Sequence, residues 1–138
     1  MILHQSRHFV VSRDGPSLLV VMRTSERFDS IEEMKKAFGE VHRALDAAGR
    51  ASNTLLVDTR SAPSRNDPEF EATFEPLRVR LLGGFRRVAV LARTLFGRLQ
   101  VERHAREDSL GVRVFNDEAE ARAYCDEPTS VRRSRPAR

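Results

Sequence analysis

Asn53-Thr54-Leu55-Leu56-Val57-Asp58, running on into Thr59-Arg60-Ser61-Ala62-Pro63-Ser64-Arg65-Asn66, is the stretch whose reading decides the fold. Leu55, Leu56 and Val57 make an unbroken apolar run that stops at an acid and opens into a polar loop. A run so short, bounded by Asn and Thr before it and by Asp, Ser and Pro after it, reads as a strand buried on both faces. Such a strand belongs at the centre of a sheet. In open α/β sheets ligands and partners are met beyond the carboxyl ends of the strands, so Thr59 to Asn66 is the first candidate surface.

Working outward, Asp67 and Pro68 have the N-cap and first-turn chemistry of a helix, and Phe70, Phe74, Leu77 and Leu81 supply its apolar face. Pro76 lies inside that pattern, where it deletes a backbone hydrogen bond at a cost of roughly 3 kcal/mol, and predicts a kink or break near Phe74. Gly83 and Gly84 stop the helix, and Val88 to Ala92 read as a second fully buried strand. Upstream, Phe9 to Val11 and Leu18 to Met22 flank Asp14-Gly15-Pro16 and predict an antiparallel hairpin. Ser30 and Glu33 have capping-box spacing, and Ile31, Met34, Phe38, Val41 and Leu45 recur on one helical face until Gly49. Downstream, a helix is expected from about Thr94 to Glu107, a strand from Val112 to Phe115, and a last helix after Asp117 and Glu120 that ends before Pro128.

The order is β β α β α β α β α. It predicts an α/β fold with a single mixed, mostly parallel sheet, an N-terminal antiparallel hairpin and about four helices joined by right-handed crossovers. A chain of 138 residues is the size of one domain. The expected division is a domain over 1–127 and an Arg-rich flexible tail over 128–138. Arg132, Arg133, Arg135 and Arg138 in that region, set against Asp126 and Glu127, account for half of the net charge of +4. The composition, 40% hydrophobic and 32% charged, contains no run of about 18 apolar residues that would span a bilayer. Met1 to Arg13 lacks the apolar stretch of a secretion signal and the single Cys cannot form an internal disulfide, so the cytoplasm is the expected location.

Arg87-Val88-Ala89-Val90-Leu91 before the helix at Thr94, together with Val114-Phe115-Asn116-Asp117-Glu118-Ala119-Glu120-Ala121, resembles the SpoIIAA-like domains of the STAS superfamily, a STAS/Sec14-like small bacterial domain. The resemblance covers roughly Ser6 to Glu127 and rests on soft patterns and element order. It implies a small regulatory or binding domain with no cofactor of its own. In phosphorylation-switched antagonists of that group, the loop after the third strand carries Asp-Ser-Ser-Gly. Here it reads Asp58-Thr59-Arg60-Ser61-Ala62-Pro63-Ser64-Arg65, without a Ser-Gly pair. Ser61 and Ser64 are candidate phosphorylation sites with Arg60 and Arg65 as phosphate partners. The alternative reading is that Ser61 to Ser64 only make a turn.

An acid closing a buried strand is also how receiver domains present a phosphoacceptor, but that chemistry needs an acidic pair for Mg²⁺ and an opposing Lys. The early strands end at Arg13 and Thr24, and no Lys follows Lys36. Asp58 therefore reads as a loop-organising acid. His4, His8, His42 and His104 have no metal-ligand spacing, His42 reads as a partly buried boundary residue, and Cys125 as a small packed thiol. No catalytic residue, metal or cofactor is assigned.

The function expected is that of a noncatalytic regulatory domain that binds another protein through Asp58, Thr59, Arg60, Ser61, Ser64 and Arg65. One alternative is a pocket for a small molecule or lipid headgroup lined by Phe70, Phe74 and Leu77, with Arg60 or Arg65 holding an anion. A second is anionic-polymer binding through Arg78, Arg80, Arg86, Arg87, Arg93, Arg98, Arg103 and Arg106, several of which could face one rim, with Arg87 and Arg93 bracketing one strand and Arg98 and Arg106 on the helix expected after it. Nucleic acid is disfavoured because aromatics are 7% of the chain and have no interleaved stacking pattern. A homodimer is a further candidate assembly.

Overall fold

The computed structural model describes residues 1–63, 67–94 and 112–127. Among them lie six strands, β1 (Ile2–Gln5), β2 (Phe9–Arg13), β3 (Leu18–Arg23), β4 (Thr54–Asp58), β5 (Val88–Leu91) and β6 (Val112–Phe115). Three helices accompany them: α1 (Ile31–Ala48), α2 (Pro68–Leu82) and α3 (Glu118–Asp126). The strands form one sheet in sequence order; β1, β2 and β3 pair antiparallel, and β3 to β6 pair parallel. β4 sits beside β5 in register from Leu55 opposite Val88 to Asp58 opposite Leu91, as the two apolar runs require. β1 extends the expected hairpin by one strand. Its four residues carry no strong alternation, and its pairing with β2 includes a bulge between Ile2 and His4.

The pleat divides each buried strand between two cores. Leu55, Val57, Val88 and Val90 face α1 and α2, together with Phe9, Val11, Leu19 and Val21. Leu18, Leu56, Ala89 and Leu91 face the other side, where Ala121 and Cys125 of α3 cover them. The larger core is rich in rings: Phe9 meets Phe38 edge-on at 5.1 Å, Phe38 meets Phe74 at 5.8 Å, and Phe70 stacks on Phe74 at 5.9 Å.

Caps explain where the helices begin and end. Ser30, Asp67 and Asp117 each accept a hydrogen bond from the backbone N–H three residues on, at Glu33, Phe70 and Glu120. α1 stops at Gly49, whose φ of 96° is a left-handed conformation that favours glycine. Two arginines close the other C-termini from outside the helix. Arg50 Nη1 donates to the carbonyls of Arg80, Leu81 and Gly83 at 2.7, 3.2 and 2.7 Å, which binds α1 to the end of α2. Arg87, with a side chain 2% exposed, donates to the Tyr124 carbonyl at 2.7 Å at the end of α3.

Several expectations change. α2 runs unbroken through Pro76. The carbonyl that Pro76 leaves without its helical partner belongs to Ala72, at an exposed position, while Phe70, Phe74, Leu77 and Leu81 anchor both halves on the same core. His42 is fully buried, 1% exposed, and its Nε2 hydrogen-bonds the Leu77 carbonyl at 3.3 Å across the α1–α2 contact. The arginines after Pro76 do not gather on one rim: Arg87 and Arg93 lie at opposite ends of β5, and Arg87 is buried under α3. The helix expected after Thr94, with Arg98, Arg103 and Arg106, and the tail over 128–138 lie outside the described residues. No helix among the described residues is long and apolar enough to cross a membrane.

Candidate functional site

Period-two alternation turns Asp58 to the same side of the sheet as Leu56, the α3 side. There its carboxylate organises the start of the loop. Arg60 donates from its backbone N–H and from Nε to Asp58 Oδ1, both at 3.0 Å, and from Nη2 to Oδ2 at 2.9 Å. A short acid accepting from the backbone two residues on makes an Asx turn, and the guanidinium adds a two-point charged pair to it. Arg60 Nη2 also reaches Glu118 Oε1 at 3.0 Å. Glu118 in turn accepts from Arg122 at 2.9 Å, and Arg122 donates to Asp14 in the β2–β3 turn at 2.7 Å. A chain of three acids and two arginines thus ties the hairpin, α3 and the loop after β4 together.

The loop backbone is held as well. Thr59 donates from both its N–H and Oγ1 to the Leu91 carbonyl, at 2.9 and 2.8 Å. Ala62 N–H closes on the Thr59 carbonyl at 3.1 Å, and Arg93 Nη1 donates to the Arg60 carbonyl at 2.9 Å. Residues 59–62 therefore form a pinned turn at the carboxyl rim of β4 and β5, and Ser61 is exposed on it. Ser64 and Arg65 lie outside the described residues.

The electrostatics follow from this geometry. Burial pushes the Asp58 carboxyl up, but the side-chain and backbone hydrogen bonds from Arg60 and the charges of Arg60 and Arg122 outweigh it, leaving the group below its ordinary value. Hydrogen bonds from Arg122 and Arg60 hold Glu118 down in the same way. Asp58 is ionised and both of its oxygens are occupied by Arg60. That arrangement suits a structural acid; a nucleophile needs a free oxygen lone pair aimed at a reacting atom. Among the described residues no group of His, Cys, Asp and Glu has the arrangement of a metal site. Burial raises the Cys125 thiol to about 11.

The other candidates fall elsewhere. Phe70, Phe74 and Leu77 do come together, but in the α1–α2 core: Phe70 lies 6.3 Å from Phe28 and stacks on Phe74. Arg60 is on the opposite side of the sheet from these rings, engaged by Asp58 and Glu118. Reading the sequence in order missed the partners of Arg60. The four-residue spacing of Glu118 and Arg122 was a visible helix pair, but nothing local joins them to Asp14 or Asp58.

With this sheet order and α3 on the far face established, the likeness to a solved structure is informative. A crystal structure of an uncharacterised protein from the DUF3478 family of Shewanella loihica PV-4, described as having a SpoIIAA-like fold, superposes with a TM-score of 0.59 over 88% of this chain and 98% of that one. The chain has the SpoIIAA-like fold. Sequence identity is 12%, so the likeness carries the architecture: the N-terminal hairpin followed by strand and helix alternation. No protein-family model and no curated protein matches the chain.

Proposed function

We propose that this SpoIIAA-like domain is a noncatalytic regulatory module that recognises another protein through the loop after β4 and the start of α2. The observation that carries this reading is the pinned turn at residues 59–62, which offers exposed Ser61 on a backbone fixed by Asp58, Leu91 and Arg93. A surface ordered before it meets a partner loses little conformational entropy on binding. A phosphate on Ser61 would compete with Asp58 and Glu118 for the Arg60 guanidinium, loosening the tie between loop and α3 while adding charge to the surface.

The test is quantitative affinity capture with wild type, Ser61→Trp in the turn and Lys36→Glu on the exposed side of α1. Proteins recovered by wild type and Lys36→Glu but lost with Ser61→Trp are the expected result. Equal recovery by all three removes the loop from the account.

A further inference from the structure

Arg23 ends β3 at the same carboxyl rim, one place beyond the Met22 and Asp58 register pair. Its side chain lies on the α1 side, with the guanidinium carbon 4.3 Å from the centre of the Phe28 ring and 5.6 Å from that of Phe9. Nη1 is anchored on two backbone carbonyls, Thr24 at 2.9 Å and His8 at 3.4 Å. Nε and Nη2 donate to nothing among the described residues, and neither belongs to the unpartnered nitrogens that are sealed from solvent. No carboxylate among the described residues lies within ion-pair distance of Arg23; Glu26, whose charge reaches it, accepts from Arg7 at 3.1 Å.

The free edge is the one that recognises oxyanions. Nε–H and Nη2–H leave a guanidinium nearly parallel, spaced to meet two oxygens of a carboxylate or phosphate. Arg60 uses the same edge in this protein, where Nε and Nη2 hold the two oxygens of Asp58. The neighbouring Arg7 holds three acids by other atoms, Glu26 through Nε and Asp29 and Glu33 through Nη1. Arg23 differs in being packed on aromatic rings, anchored at one nitrogen and paired through its two-donor edge with no acid among the described residues.

We propose that Arg23 anchors a site at the carboxyl rim of β3 that takes the phosphate or carboxylate group of a small molecule. Burial lowers the guanidinium pKa to about 10, against the opposing pull of Glu26. The cation is thus already partly stripped of water, and an arriving oxyanion supplies the direct ion pair that no described residue makes with it. The aromatic bed and the two carbonyls hold the fork in place, so little side-chain freedom is lost on binding. This site is separate from the turn at residues 59–62 and stands or falls independently of the partner-binding reading.

The experiment is a titration of inorganic phosphate, and separately of acetate, into the ¹⁵N-labelled protein at constant ionic strength set with chloride, followed in wild type by the arginine Nε–Hε resonances and in every variant by the backbone amides of Thr24 and Phe28, which flank the guanidinium. A saturable shift of the Arg23 resonance is expected, with affinity weakened about tenfold or more in Arg23→Gln and unchanged in Lys36→Gln, which removes an equal charge elsewhere. Phosphate alone saturating the site would narrow the ligand class to phosphates, and acetate alone to carboxylates. Arg23→Lys, which keeps the charge and loses the fork, serves if Arg23→Gln fails to fold, and is expected to bind more weakly than wild type. An unshifted Arg23 resonance with both anions, or equal affinity in the folded variants, overturns the proposal. Ser61→Trp leaves this titration unchanged, so the two functional readings fail separately.

Discussion

Arg60 holds both carboxylate oxygens of Asp58, Nε on Oδ1 at 3.0 Å and Nη2 on Oδ2 at 2.9 Å. A planar fork closes this pair and an ammonium would not, so Arg60→Lys and Asp58→Asn should destabilise by similar amounts. About 1–2 kcal/mol is expected for each, the value for a charged hydrogen bond discounted because the Arg60 side chain is 40% exposed. The double variant should cost little more than either single one. Urea denaturation of the four proteins checks this; additive losses would show that the two residues act separately.

Stability should fall in two stages as pH drops. Burial first, and then the nearby charges of Arg80 and Arg50, depress the His42 imidazole below its ordinary value of 6.5, with the Leu77 hydrogen bond opposing. The unfolded chain therefore takes up this proton at higher pH than the folded one. The associated stability is complete above about pH 6.5 and declines as pH falls toward the folded value. Asp58 and Glu118 are also depressed in the fold, from ordinary values of 3.8 and 4.5. Their contribution is complete above those values and is lost below them. His42→Gln should flatten the upper stage and leave the lower one, as read from chemical denaturation between about pH 7 and pH 3.

The two arginine caps, Arg50 half-buried and Arg87 buried, should differ in worth. Arg50 satisfies three carbonyls and pairs with Asp46 at 2.7 Å, leaving one nitrogen, Nη2, buried without a partner among the described residues. Arg50→Met should cost about 2–3 kcal/mol and speed amide exchange in the last turn of α2. Arg87 bonds through Nη1, while its Nε and Nη2 are buried without a partner. Much of what its charge gains is cancelled by desolvation, so Arg87→Met should cost about 1 kcal/mol or less. Thermal or urea unfolding orders the two; a larger loss at Arg87 contradicts this reasoning.

Cys125 lies on the sheet-facing side of α3, with its thiol raised to about 11 by burial and the nearby Asp126 charge. At about pH 8 the thiolate is scarce and shielded, so a thiol reagent should react only when α3 lifts from the sheet. Glu118→Gln and Arg122→Gln are the informative variants, since they cut the ties of α3 to the loop and hairpin. Both should accelerate labelling several-fold, as roughly 1 kcal/mol of lost local stability implies.

Much of the fold was legible because its signals are local. Ser30, Asp67 and Asp117 marked the helix starts by the chemistry of orphan N–H groups, and the two apolar runs marked the buried strands. Pro76 misled because its effect on α2 depends on where the freed Ala72 carbonyl points. His42 misled because one helix does not reveal that a second helix lies over it. The loop after β4 was found from strand order; which of its side chains are engaged was not, because Glu118 lies 58 residues from Arg60.

Period, caps and composition, read from the chain alone, determined the parallel α/β order, the central place of Leu55 to Asp58 and the polar turn beyond it, since each depends on neighbours a few residues apart. Only the tertiary structure decided that Arg60 turns to Asp58 and Glu118, that Arg50 and Arg87 close helix ends, and that Arg23 keeps a two-donor edge without an acid among the described residues. Charged side chains are long and nearly indifferent to backbone pattern, so their partners are chosen by what folding brings within about 3 Å.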